Sequence, residues 1–122
     1  MRNQPRYHLF KNARYALEGL RDALKSETSF RIEVVLFLLF SVIFWVSPLH
    51  LASKAILQAS LFIPLLVELL NSAIERVVDL AIKDIHPLAK EAKDMGAAAV
   101  LLSLFLTLFI WIGVFCFEFI KY

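Results

Sequence analysis

The sequence predicts an all-α membrane protein: three transmembrane helices preceded by an amphipathic surface helix. Of its 122 residues, 60% are hydrophobic, and mean hydropathy is +0.70. A soluble domain of this length has too little interior to bury so much apolar surface. Three long apolar stretches follow one another, each on the scale of the ~20 residues a spanning helix needs. The basic residues cluster on alternate sides of these stretches, as multi-pass membrane proteins arrange them.

Residues from about 6 to 25 form the predicted surface helix. Leu9, Phe10, Ala13, Leu17, Leu20 and Leu24 recur at three-four spacing, while Lys11, Arg14, Glu18, Arg21 and Lys25 fill the opposite face. A basic amphipathic helix before a span lies in the membrane interface. Ser26-Glu27-Thr28-Ser29 reads as a turn. The first span covers about 32–46, with Glu33 at its start, where a helix N-terminus tolerates an acid. Ser47-Pro48-Leu49-His50 is the next turn. The second span, about 52–79, contains Pro64, which removes a backbone hydrogen bond and is expected to bend it. Asp84-Ile85-His86-Pro87 interrupts the pattern again, and Pro87 suits the first position of a helix. The third span, about 95–117, is free of charge. The whole of 1–122 is expected to be one membrane domain.

Orientation follows from Lys and Arg. Arg2, Arg6, Lys11, Arg14, Arg21, Lys25 and Arg31 precede the first apolar run, whereas the first loop offers only Lys54. Arg76, Lys83, Lys90 and Lys93 surround the second loop. The N-terminus and the second loop are therefore expected to be cytoplasmic. The apolar run begins too far into the chain for a cleavable signal peptide. Net charge is only +2, and no nucleic-acid partner is expected. The single cysteine, Cys116, lies in an apolar run and reads as a small apolar side chain.

The chemistry concentrates in the second span. At about 100° per residue, Glu68, Asn71, Glu75 and Asp79 share an arc of roughly 80° on one helix face. Polar and ionisable groups in a span are costly and mark functional sites by default. A carboxylate withdrawn from water takes up a proton more readily, which suits a general base near neutral pH. An inter-helix structural bond is the alternative for Glu68. Glu75 and Glu27 lie on the same predicted side of the membrane, and such a pair suits Mg²⁺, which takes carboxylate oxygens and keeps waters and phosphates as further ligands. Lys93, at the threshold of the third span, can meet phosphates or act as a snorkelling anchor. There is no glycine-rich phosphate loop, kinase catalytic loop, Cys/His metal cluster or serine elbow.

The run Glu68-Leu69-Leu70-Asn71-Ser72-Ala73-Ile74-Glu75-Arg76-Val77-Val78-Asp79, with Ala92-Lys93-Asp94-Met95-Gly96-Ala97-Ala98-Ala99-Val100, closely resembles the prokaryotic diacylglycerol kinase family. Gly19-Leu20-Arg21 and Glu27-Thr28-Ser29-Phe30-Arg31-Ile32-Glu33 extend the likeness over nearly the whole chain. The resemblance implies a homotrimeric helical bundle in the bacterial inner membrane, with active sites shared between neighbouring subunits. It implies Mg²⁺-dependent transfer of the ATP γ-phosphate to the hydroxyl of diacylglycerol, giving phosphatidate. Glu68 then matches the catalytic base and Asn71 the polar residue beside it. Glu27 and Glu75 match the metal ligands. The resemblance places ATP-binding positions at His8, Tyr15, Glu27, Glu75, Asp84, Ile85, His86, Lys93 and Asp94. It places lipid-binding positions at Arg21, Ser29, Phe30, Arg31, Ile32, Glu33, Glu68 and Ala97. His8 stands where the family usually has arginine, and Ala97 where serine is common.

Three other readings remain open at the level of sequence. One is the same chemistry on undecaprenol. The second is an ion- or proton-conducting oligomer that uses the polar face of the second span. The third is a structural assembly subunit without activity. Asp79 has no assigned task beyond an electrostatic or structural one.

Overall fold

The computed structural model describes residues 8–120; residues 6 and 7 of the expected surface helix lie outside this range. Among the described residues the fold is entirely helical: α1 Leu9–Ser26, α2 Thr28–Val46, α3 Leu51–Ala81 and α4 Pro87–Phe119. The helices α2, α3 and α4 are each long and apolar enough to cross a membrane, which makes this a multi-pass membrane protein.

The structure moves several expected boundaries. His8 is extended, so the described part of the surface helix begins only at Leu9. The turn expected over Ser26–Ser29 narrows to Glu27 alone, which ends α1 and starts α2. Arg31 explains how so short a corner holds. Its guanidinium donates to the free carbonyls of Leu24 (3.1 Å) and Lys25 (2.8 Å) and to Thr28 Oγ1 (3.0 Å). Those terminal carbonyls have no partner within their own helix, and a cation there also suits the helix dipole. Because α2 starts at Thr28, Glu33 sits beyond its first turn rather than at its start.

The α3 helix runs unbroken through Pro64, which is buried. Lost backbone bonds at proline are tolerated where neighbouring helices pack closely. Pro87 occupies the first turn of α4, and His86 Nδ1 caps it by accepting from the Leu88 backbone N–H at 3.1 Å. This cap carries α4 well ahead of the apolar run read from the sequence.

The helix α3 is the centre of the bundle. It packs most extensively against α4, less against α2, while α1 rests on the start of α2. Its inward face is Ser53, Leu57, Ser60, Leu61, Pro64, Glu68, Asn71 and Ser72. Toward one end this face meets an apolar cluster of Phe44, Leu57, Leu61 and Val114. Trp111 lies edge-on to Phe40 (4.9 Å) and Phe44 (5.2 Å) and donates its indole N–H to Ser60 Oγ at 2.7 Å. At the same end, the His50 ring and backbone N–H both reach the Glu118 carboxylate, at 2.9 Å and 3.1 Å. The bundle is thus locked at the end opposite the charged stripe.

Candidate active site

Along α3 the predicted polar face is graded from buried to exposed. Glu68 and Asn71 are 6% and 8% exposed, Glu75 is half-buried and Asp79 is exposed. The face that the periodicity identifies is therefore the packed one only at its Glu68 end. Asn71 Nδ2 donates to Glu75 Oε1 at 3.3 Å, one helical turn further on. Its other amide atom, Oδ1, is buried without a hydrogen-bond partner. A buried polar atom without a partner is costly, and this one faces α4 at Gly96.

Gly96 on α4 explains why Asn71 can sit so deep. A Cβ at position 96 would overlap Asn71 Oδ1. The absent side chain lets the backbone of α4 come up against the amide, a close approach of the kind glycine permits. No spacing in the sequence marks this contact, because the partner is not another small residue but an asparagine on a different helix.

Glu27 approaches from the α1–α2 corner. Glu68 feels the negative charges of both Glu75 and Glu27, and Glu33 feels that of Glu68. The carboxylates thus gather around the Glu68 end of α3, from three different stretches of chain. Arg76, the neighbour of Glu75 in the sequence and without a predicted role of its own, enters this group. Its Nη2 lies 3.6 Å from Glu27 Oε1 and also hydrogen-bonds Ser26 Oγ. The signal in the sequence was its place one residue after Glu75. That turns its side chain away from the stripe and toward α1.

Among the described residues, no three His, Cys, Asp or Glu side chains converge as a ready metal cage. The donor set nevertheless fits a hard divalent ion. Glu27 and Glu75 offer carboxylate oxygens, and Mg²⁺ characteristically takes one or two carboxylates and completes its shell with water and phosphate.

A second region collects much of the predicted nucleotide set. Asp84, Ile85, His86, Lys93 and Asp94 line one open cleft of about 340 Å³, together with Asp79 and Lys90. Lys93 Nζ is 2.6 Å from Asp79 Oδ1, and Lys90 Nζ is 2.6 Å from Asp94 Oδ2. Asp79 thereby acquires a partner. His8, Tyr15, Glu27 and Glu75 do not line this cleft.

The predicted lipid positions divide. Phe30 is buried, Glu33 is half-buried, and Arg21, Ser29, Arg31, Ile32 and Ala97 are exposed. Glu33 borders a small apolar crevice of about 130 Å³ with Phe37, Phe40, Pro64 and Trp111, and its Oε2 is buried without a partner. Arg31 is already engaged at the α1–α2 corner. A larger cleft of about 640 Å³ runs between α1 and α3, walled by Ala16, Gly19, Leu20, Ala23 and Leu69, with Arg76 at its edge.

Comparison with known proteins adds a lineage to this geometry. The family model described as prokaryotic diacylglycerol kinase matches residues 14–115. The diacylglycerol kinase of Escherichia coli K12 is 40% identical over 103 residues, covering 84% of each chain. That of Haemophilus influenzae is 35% identical over 111 residues, covering 90% of this chain and 93% of its own. That of Pseudomonas aeruginosa is 37% identical over 97 residues, 80% of this chain and 79% of the relative. The match takes in the acidic group around Glu68, the Gly96 contact and the cleft of Lys93. The chain belongs to the prokaryotic diacylglycerol kinase family.

Proposed function

We propose that this protein is an ATP-dependent diacylglycerol kinase that makes phosphatidate. Family membership supports the reaction class. The single observation within the fold that carries the reading is the buried pair Glu68 and Asn71, set among further carboxylates at one end of a membrane bundle. That end can receive both a membrane lipid and a water-soluble nucleotide.

In the proposed mechanism, the lipid hydroxyl oxygen attacks the γ-phosphorus in line as the bond from that phosphorus to the ADP oxygen breaks. Glu68 accepts the hydroxyl proton, and ADP leaves with the bonding electron pair. Asn71 orients the group from beside the base, with its amide nitrogen tied to Glu75. Glu27 and Glu75 would hold Mg²⁺, which supplies neutralisation of the ATP phosphate charge when bound. Lys93 offsets further phosphate charge from the α4 side. Phosphoryl transfer asks mainly for positioning and charge stabilisation, so a small site suffices.

The 1–122 chain acts as one membrane domain, with its N-terminus and second loop in the cytoplasm of a bacterial inner membrane, as the Lys/Arg distribution supports. It works as a homotrimer with sites shared between neighbours. His8 and Tyr15 do not line the Lys93 cleft, and a second copy with its own surface helix can complete the nucleotide site.

The test is an ATP-consumption assay in mixed micelles with diacylglycerol, undecaprenol or no lipid. Diacylglycerol-dependent release of ADP is expected. A strong preference for undecaprenol would overturn the lipid assignment, and ion flux in liposomes without ATP turnover would overturn the kinase reading altogether.

A further inference from the structure

The α1–α2 corner is a peculiar place to keep a functional carboxylate. Glu27 is its only non-helical residue, with φ −110° and ψ 107°, and both of its neighbours belong to helices. Nothing in the corner itself aims the side chain. The backbone there is fixed by the Glu27 N–H to Ala23 O bond at 2.9 Å and by the Arg31 guanidinium on the carbonyls of α1. The aiming comes from α3.

Glu75 and Arg76 are consecutive on α3, so their side chains diverge by about 100°. Glu75 turns to Asn71, and Arg76 turns to the corner. There its guanidinium meets Ser26 Oγ and Glu27 Oε1 together, and Ser26 Oγ donates onward to Asp22 O at 2.7 Å. Both contacts come from the one Nη2, whose two N–H bonds have fixed directions in the guanidinium plane, which a lysine ammonium on its flexible stem cannot reproduce as well. The contact with Glu27 is loose enough, at 3.6 Å through one oxygen, to leave the carboxylate available to another ligand.

From this geometry we propose that Arg76 is a positioning residue. It draws the Glu27 corner toward α3 and so keeps Glu27 and Glu75 close enough to share one divalent cation. This rests on the reading of those two acids as the metal pair. Arg76 also carries a positive charge near the cation, which opposes binding. Its side chain is 52% exposed, so that repulsion is screened by solvent. Its hydrogen bond to Ser26 Oγ acts at contact range and is not weakened in the same way, and positioning therefore dominates.

The experiment uses the full-length protein in detergent micelles. Binding of Mn²⁺ with the non-hydrolysable analogue AMP-PNP is followed by electron paramagnetic resonance, beside the Mg²⁺ dependence of turnover. Arg76→Ala is expected to weaken Mn²⁺ binding by roughly threefold to fivefold, the scale of a partly exposed ion pair. The Mg²⁺ concentration for half-maximal turnover should rise in parallel, and turnover at saturating Mg²⁺ should fall less. Arg76→Lys should lie between Arg76→Ala and the native chain. Circular dichroism with melting checks that each variant is folded. If Glu27→Gln loses the metal while Arg76→Ala binds Mn²⁺ as the native chain does, the positioning role is overturned and the ligand reading stands. Tighter binding in Arg76→Ala would overturn it as well, since repulsion would then dominate. If Glu27→Gln retains native affinity, the ligand reading falls and the Arg76 proposal falls with it.

Discussion

Lys93 Nζ stands 2.6 Å from Asp79 Oδ1, so the lysine at the head of α4 is held by the last acid of the α3 stripe. The pair is exposed on both sides, which makes it a weak structural tie and an easily exchanged one. A phosphate group can take the place of the carboxylate as the lysine's partner. Lys93→Ala is expected to raise the KM for ATP by about tenfold or more, the scale of a lost bond to a charged group. Asp79→Ala should shift the same KM far less. Steady-state kinetics over an ATP series checks both, and equal effects would show that Asp79 is itself a nucleotide contact.

Glu68→Gln keeps the shape of the buried side chain and removes its capacity to take a proton. Turnover should fall by about 10²-fold or more, the usual contribution of a general base. Oligomer size on a sizing column and helical content should stay native. Substantial retained turnover would remove Glu68 from the role of base.

Gly96→Ala introduces a methyl group into the space of the Asn71 amide. Overpacking of this sort costs about 1–3 kcal/mol, so both the melting temperature and turnover should drop. Adding Asn71→Ala should restore stability without restoring turnover, because the clash is relieved while the amide is lost. Gly113→Ala serves as the control, since a methyl there meets nothing within 4 Å. It should leave turnover unchanged.

Removal of divalent metal by EDTA is expected to abolish turnover, with Mg²⁺ restoring it. Glu27→Ala and Glu75→Ala should each raise the Mg²⁺ needed for half-maximal rate. Native metal dependence in both variants would remove them as ligands.

Glu118→Gln tests the other end of the bundle. The carboxylate ties α4 to the α2–α3 turn through His50. Its replacement should lower the unfolding temperature while turnover at native temperature is preserved. A large loss of turnover would reveal coupling between the two ends.

The helices were legible because their signals are local or periodic. Apolar length marked the three spans, Pro87 marked the start of α4, and three-four spacing marked α1. The Glu68 stripe was legible for the same reason, since a helix face is a property of one segment. Contacts between segments were not. Gly96 against Asn71, Lys93 against Asp79 and Arg76 against Glu27 each join residues from different elements, and no spacing rule relates them. The α1–α2 corner was drawn too wide because Ser26, Thr28 and Ser29 look like turn residues. The Arg31 side chain satisfies the helix end from outside and makes a longer loop unnecessary. Glu118 was overlooked because an acid at the end of an apolar run reads as ordinary solvation until its histidine is found in another loop.

The uneven fastening of the helices has a consequence in time. The α3–α4 hairpin is closed by the Trp111–Ser60 bond, the aromatic cluster and the His50–Glu118 clasp. By contrast, α1 is joined to the rest mainly through Ala23 and the two arginines at its C-terminal corner. Regions with few buried contacts open first. Amide hydrogen exchange should therefore release α1 long before the hairpin. The surface helix can then detach and return many times while the α3–α4 hairpin stays closed.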